Sequence, residues 1–290
     1  MSLLSVCITV SYRNKPLVLR DAVLELAPGE IVGLAGQSGS GKSTMSLAIL
    51  GLLSRRHAEV SGKVLFNGVD LLTASEKQLR SIRGQQIALV LQSALSALNP
   101  SMSVGGHLWE AWRAHSREGR EIWLPRVQEL LTEVSLPCDE AFLNRYPREL
   151  SVGIAQRVLI GMSVLHRPSL LIADEPTSAL DVITQSETRK LFQRMNQRFG
   201  TAILFISHDL LSVAAMCERV AILHDGCVVE TGPTAAVFAK PIHPYTASLI
   251  HALPGLPQGN ETMDLLNLAT GLQSTDTKSG LIRKPSPELR

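Results

Sequence analysis

A chain of 290 residues with 45% apolar content can bury a sizeable core, and with only 4% aromatic residues that core must be mostly Leu, Ile, Val and Ala. Its net charge of +2 comes from Lys and Arg scattered along the chain with no basic stripe, which argues against nucleic acid as a partner. Four cysteines, Cys7, Cys138, Cys217 and Cys227, lie far apart with no C-x-x-C pair, which suggests neither a disulfide framework nor a metal site and suits a reducing cytosol.

Val6, Ile8 and Val10 alternate with smaller or polar residues and predict a half-buried strand ending near Tyr12. Ala22 to Leu26 is a second extended run, turned by Pro28-Gly29-Glu30 into the short buried strand Ile31 to Ala35. The next eight residues, Gly36-Gln37-Ser38-Gly39-Ser40-Gly41-Lys42-Ser43, fit G-x-x-x-x-G-K-[ST] at every fixed position, and Thr44 and the apolar run Met45 to Leu53 follow as a helix would. Strand, loop and helix in that order are the context that gives the motif meaning. The glycines let backbone N–H groups converge on phosphate oxygens beside the positive end of a helix. Lys42 would reach the β- and γ-phosphates of a nucleoside triphosphate, and Ser43 would ligate Mg²⁺.

Further along, Val60 to Phe66 with the turn Asn67-Gly68 reads as a strand and its reversal, Ser75 to Arg83 as a short helix, and Ile87 to Leu91 as a strand delivering Gln92. From about Ser93 to Ile160 the pattern is helical, with Trp109, Trp112, Trp123, Val127, Leu130, Leu131 and Val134 as packing residues. Leu170 to Ala173 reads as a fully buried parallel strand ending in Asp174-Glu175. A helix from Ile183 to Phe199, a strand from Thr201 to Ile206, the tripeptide Ser207-His208-Asp209, a helix from Leu210 to Cys217 and strands Val220 to Leu223 and Val228 to Thr231 complete the alternation. Such alternation predicts an α/β fold whose mainly parallel sheet is covered on both faces. Beyond Pro257 the sequence is polar and aperiodic, so residues 258–290 are expected to form a loosely held tail after a domain of residues 1–257. The N-terminus has no basic segment leading into an apolar run, and Val158 to Leu165, the longest apolar stretch, is too short to span a bilayer; the chain is not expected to enter the membrane itself.

The carboxylates at the end of the buried strand complement the phosphate loop. Mg²⁺ on phosphates needs one or two carboxylates on rigid backbone, a role for Asp174, directly or through water. Glu175 would then orient the attacking water as general base. His208 should lie at the C-terminal edge of the sheet, where it can hydrogen-bond a γ-phosphate. Taken alone, a histidine there is more often a capping or loop residue.

With these residues in place, the stretch from Leu4 to Pro257 resembles the ATP-binding subunit of an ATP-binding cassette (ABC) transporter. Gly36 to Ser43 corresponds to the Walker A motif, Gln92 to the Q-loop, Leu150-Ser151-Val152-Gly153-Ile154 to the signature, Leu170 to Glu175 to Walker B, Ser178-Ala179-Leu180-Asp181 to the D-loop and His208 to the switch histidine. The resemblance implies a P-loop NTPase fold: a RecA-like, mainly parallel sheet with an N-terminal antiparallel β subdomain and an inserted helical subdomain at about 93–160. It also implies ATP and Mg²⁺ as cofactors and Tyr12 stacked on adenine. Gln92 would touch Mg²⁺ and sense a membrane partner. Two ATPase subunits would close head to tail, so that Ser151 and Gly153 of one complete the site of the other, with Asp181 nearby.

Ala97-Leu98-Asn99-Pro100, Tyr146-Pro147 and His243-Pro244-Tyr245-Thr246 narrow the resemblance to the peptide and nickel importer group. That group implies two permease subunits, a second and different ATPase, an extracytoplasmic solute-binding protein, and a peripheral position on the cytoplasmic face of the plasma membrane. The lack of cysteine after Cys227 favours the nickel or metal-chelate branch over short peptides. The signature departs from the usual L-S-G-G-Q at Val152 and Ile154. A β-branched Val disfavours positive φ and adds bulk beside a phosphate, so an asymmetric pair of sites is expected. An exporter ATPase is the alternative within the class, against which the His-Pro-Tyr segment speaks. A soluble ABC ATPase would bring a second cassette or a long coiled coil, which are absent here.

Overall fold

The computed structural model describes residues 2–253 except 14 and 55, so the expected tail at 258–290 lies outside the described residues. The elements, in chain order, are strands β1 (Leu4–Tyr12), β2 (Lys15–Leu26) and β3 (Ile31–Ala35), helix α1 (Lys42–Ile49), strands β4 (Ala58–Phe66) and β5 (Val69–Asp70), helix α2 (Glu76–Ile82) and strand β6 (Ile87–Val90). A helical stretch follows: α3 (Ala94–Ala97), α4 (Val104–Arg113), α5 (Arg120–Glu133), α6 (Glu140–Leu143) and α7 (Val152–Val164). The chain then returns to alternation with β7 (Leu170–Asp174), α8 (Val182–Phe199), β8 (Ala202–Ser207), α9 (Leu210–Met216), β9 (Arg219–His224), β10 (Cys227–Pro233), α10 (Thr234–Ala239) and α11 (Pro244–His251).

Two sheets form. The first is antiparallel in the order β2-β1-β4-β5, and its last reversal uses Asn67 and Gly68 with φ of 48° and 80°, the left-handed pair that a tight hairpin with matching twist requires. The second has the order β10-β9-β3-β8-β7-β6 and is parallel except at β9–β10. Two apolar clusters sandwich it. On one face Val32, Leu34, Leu170, Leu204 and Ala221 pack with α1 and the antiparallel sheet; on the other, Leu171, Ala173, Ile203 and Phe205 join α7, α8 and α9. Burial on both faces explains why β3, β7 and β8 read as unbroken apolar runs. Trp112, Trp123, Val127, Leu130, Leu131 and Val134 are buried in the second cluster and Trp109 packs partly exposed against it, so the helical stretch shares its core with the sheet.

The register matters most for function. Ala35 pairs Ser207, Asp174 pairs Ile206, and Val90 pairs Ala173. The phosphate loop, His208, Glu175 and Gln92 therefore leave four adjacent strands at one level, on the C-terminal edge where α/β sheets bind ligands.

Two differences from the sequence reading have local causes. Helix α1 begins at Lys42 and stops at Ile49 instead of running from Met45 to Leu53, because Gly51 adopts φ +61° and turns the chain out. Helices α10 and α11 were not expected, since they are short and Pro244 reads as a breaker. Pro244 occupies the first helical position of α11, where its missing N–H is no loss, and His243 caps it by accepting the Tyr245 N–H.

Candidate nucleotide site

The phosphate loop closes around Lys42. Its ammonium donates to the carbonyl oxygens of Gly36 at 2.8 Å and Gln37 at 2.9 Å, tying the end of the loop back to its beginning. Burial pulls the Lys42 pKa down, and the carboxylates of Glu175 and Asp174 oppose that pull. Gly36 is required by contact: a methyl group there would strike the Leu223 carbonyl oxygen of β9. At the N-cap of α1 stands Gly41, at φ +110° and without a side chain to cap the helix, so the first-turn N–H groups stay open to an anion. The Ser40 hydroxyl is buried with no partner among the described residues. An orphaned polar atom beside uncapped helix donors and a buried ammonium is a good fit to phosphate.

A hard-cation half-site adjoins the loop. Ser43 Oγ donates to Asp174 Oδ1 at 3.2 Å and Ser46 Oγ to Asp174 Oδ2 at 3.3 Å. Asp174 is raised above the ordinary carboxylate range, first by burial and then by neighbouring Glu175; the two serine hydroxyls and Lys42 oppose the rise. No group of three or more His, Cys, Asp or Glu that could hold a metal occurs among the described residues. One carboxylate and one hydroxyl, with phosphates supplying further oxygens, fit Mg²⁺. Ser46 was missed in the sequence, although its spacing of three from Ser43 puts both hydroxyls on one face of α1.

A carboxyl raised on folding stabilises fully below its unfolded value and loses that contribution as pH rises through the folded value. At neutral pH the charged Asp174 therefore costs stability. Asp174→Asn should raise the Tm of the nucleotide-free chain by about 2–4 °C, equivalent to about 1 kcal/mol, while removing Mg²⁺-dependent ATPase activity. Thermal denaturation checks this, and a lower Tm would refute it.

Glu175 sits at φ +48°, its N–H bonded to the Ile206 carbonyl at 2.9 Å, which turns the side chain out of the strand line toward the loop. Its Oε2 accepts from Gln92 Nε2 at 3.2 Å and lies 3.0 Å from His208 Nδ1. Gln92 thus holds Glu175, beside the carboxylate Asp174 that faces Ser43. Two adjoining cavities of about 490 and 470 Å³ share Ser38, Gln92 and Glu175. Tyr12, Gly39, Lys42, Ser43 and Thr44 line the first; Gly36, Gln37, His208 and Leu249 line the second. A larger cavity of about 790 Å³ opens between α1, β4 and the approach to α2, among residues such as Ala48, Val60 and Leu71, away from this chemistry.

The signature residues stand elsewhere. Ser151 caps α7, its hydroxyl accepting the Ile154 N–H at 3.3 Å. Asp181 caps α8, accepting the N–H groups of Ile183 and Thr184 at 3.1 Å each and the Thr184 hydroxyl at 2.6 Å. Gly153 lies so close to Thr184 that an added methyl would stand 3.0 Å from its Cγ2, and an Arg157–Glu187 ion pair also joins α7 to α8. None of Ser151, Gly153 and Asp181 lines the cavities around Glu175. Val152 is the first residue of α7 and has no positive φ, so the backbone objection to a β-branched residue there does not apply; only its bulk remains, with the residue 39% exposed.

Comparison with known proteins agrees with this geometry. Residues 19–178 match the family described as ABC transporter, and residues 229–278 match the C-terminal region of oligopeptide/dipeptide transporters. The chain belongs to the ABC transporter family, as an ATP-hydrolysing subunit of the peptide importer type. It is similar to a probable peptide ABC transporter ATP-binding protein of Sinorhizobium fredii, 42% identical over 81% of this chain and 70% of the relative. It is also similar to a dipeptide transport ATP-binding protein of Escherichia coli, 41% identical over 81% of this chain and 72% of that protein. Among solved structures, cbiO1 of the cbiONQ transporter from Clostridium perfringens superposes with a TM-score of 0.72 at 26% identity, covering 82% of this chain and 91% of that one. The cassette MJ0796, in a dimeric post-hydrolysis state bound to ADP and Pi, gives 0.69 at 26% identity over 80% and 98%.

Proposed function

We propose that this subunit powers uptake of short peptides, hydrolysing Mg²⁺-bound ATP at the cytoplasmic face of the membrane as one of two ATPases clasping a permease pair fed by an extracytoplasmic binding protein. The convergence of Glu175, Gln92 and His208 on one side of the phosphate loop carries the catalytic part of this reading. Bound Mg²⁺-ATP would supply an electrophilic γ-phosphorus with its charge partly neutralised. Ser43 and Asp174 would hold the cation, Lys42 and the α1 N–H groups the phosphates, and Tyr12 the base. Glu175 would orient a water and take its proton. His208, within reach of the same carboxylate, would hold a γ-phosphate oxygen.

The relatives named above act in peptide and dipeptide transport, which favours peptides over nickel as cargo. No helix among the described residues is long and apolar enough to cross a membrane, so translocation would fall to separate permeases. The position of Ser151 outside the chain's own cavities supports head-to-tail pairing. Val182 and Ile183, 79% and 73% exposed next to Asp181, offer the apolar surface such a pairing would bury. Affinity purification of the tagged chain from membranes tests the assembly: recovery with two permeases and a second ATPase is expected, and recovery of the chain alone would overturn it.

Within the pair, Val152 would crowd the nucleotide of the partner site. Val152→Gly in the assembled complex should raise turnover at that site about fivefold, since removing misplaced bulk releases about 1 kcal/mol. An unchanged rate would sink the asymmetry.

A further inference from the structure

The C-terminal helix α11 reaches back to the phosphate loop. The Gln37 N–H donates to the Tyr245 hydroxyl at 3.0 Å, across 208 residues of sequence. That N–H belongs to the Gly36–Gln37 peptide, whose carbonyl oxygen is the one that accepts from the Lys42 ammonium at 2.8 Å. The single peptide plane is thus gripped at both ends, by Tyr245 on one side and Lys42 on the other. Tyr245 is itself fixed. Its ring stacks on His224 at the end of β9, with centroids 3.6 Å apart and planes 16° from parallel, and its own N–H donates to His243 Nδ1 at 3.2 Å. The entry to α11 is anchored by Glu230 of β10, whose carboxylate accepts the N–H groups of Ile242 at 2.9 Å and His243 at 3.0 Å. One turn on from Tyr245, Leu249 forms part of the cavity that holds Glu175 and His208.

We propose that Tyr245 is a positioning residue of the nucleotide site: its hydroxyl orients the Gly36–Gln37 peptide, and through it Lys42, so that the C-terminal segment tunes the affinity of the phosphate loop. The proposal rests on the reading of Gly36 to Ser43 as a nucleotide cradle. A loop preset by a hydroxyl pays less ordering entropy on binding, and the loss of one such hydrogen bond corresponds to about a fivefold change in affinity. Because the loop cradles the inner phosphates, ATP and ADP should suffer alike.

The test uses the full chain and its Tyr245→Phe variant, titrated with Mg²⁺-ATP and Mg²⁺-ADP by calorimetry, with Tm and amide hydrogen exchange of the loop measured on both. Phe keeps the stack on His224 and removes only the hydroxyl. The expected result is dissociation constants about fivefold higher for both nucleotides, faster exchange at residues 36–39 and a Tm lower by no more than about 4 °C. Equal affinities and equal exchange in the variant overturn the proposal while leaving the nucleotide site intact. A fall in Tm with parent-like affinities for both nucleotides also overturns it, since Tyr245 would then serve packing alone. Failure of the parent chain to bind either nucleotide overturns the site reading itself.

Discussion

Glu175→Gln in the assembled complex should lower ATP turnover by about 10²- to 10⁴-fold while the isolated chain still binds ATP. The substitution keeps the size of the side chain and a carbonyl oxygen able to accept from Gln92, so the wall of the cavity is preserved. What it removes is the negative charge that would take a proton from water. It also removes a carboxylate that repels phosphate across the same cavity, so affinity for ATP should hold or rise. Steady-state phosphate release and equilibrium nucleotide binding separate the two effects. Retained turnover would assign the base elsewhere, whereas lost binding would make Glu175 part of the cradle.

Lys42→Ala has the opposite signature, with binding lost first. The ammonium is buried, held by two loop carbonyls and flanked by Asp174 and Glu175. Its removal strips the phosphates of their one buried cation in the loop and leaves the Gly36 and Gln37 oxygens unpaired. Charge-assisted hydrogen bonds are worth about 1.5–3 kcal/mol each, so ATP affinity should fall by about 10²-fold. Lys42→Arg should not rescue, because a planar guanidinium does not fit where a compact ammonium sits between two carbonyls. Calorimetric titration of both variants decides the point: parent-like affinity in Lys42→Ala would remove Lys42 from the phosphate site, and parent-like affinity in Lys42→Arg would show that charge suffices without the compact ammonium.

The legible part of this protein was the part where chemistry dictates residue type at fixed spacing. Gly36, Gly41, Lys42 and Ser43 could be read because a loop that wraps phosphate tolerates few side chains, and Asp174-Glu175 because a fully apolar strand ending in two carboxylates is costly without a cation or a reaction to serve. Helix and strand types followed from periodicity, and β3, β7 and β8 from burial on both faces. What escaped was set by tertiary contact. Nothing local in His243-Pro244-Tyr245 says that its hydroxyl meets Gln37. Ser46 looks like any small helical residue until Asp174 is placed beside it. The expectation of a strained backbone at Val152 failed because Ser151 caps α7, which makes Val152 an ordinary first helical residue. The bond from Gln92 to Glu175 likewise follows from the level ends of β6 and β7, which no local pattern announces.

The level departure of Gly36, Gln92, Glu175 and His208 from four adjacent parallel strands has a consequence for what the gene can tolerate. Neighbouring strands are about 4.8 Å apart and successive residues along a strand alternate faces, so the ladder itself sets the spacing of the reacting groups. Adding or deleting one residue within β3, β6, β7 or β8 would swing that strand's functional side chain to the opposite face and move the rest of its row out of step. The same change between Ser54 and Ala58, before the antiparallel sheet resumes, would leave the row untouched. Length changes in this chain should therefore sort by strand, silent in the outer connections and fatal to turnover in the four central ones, even where the altered protein still folds.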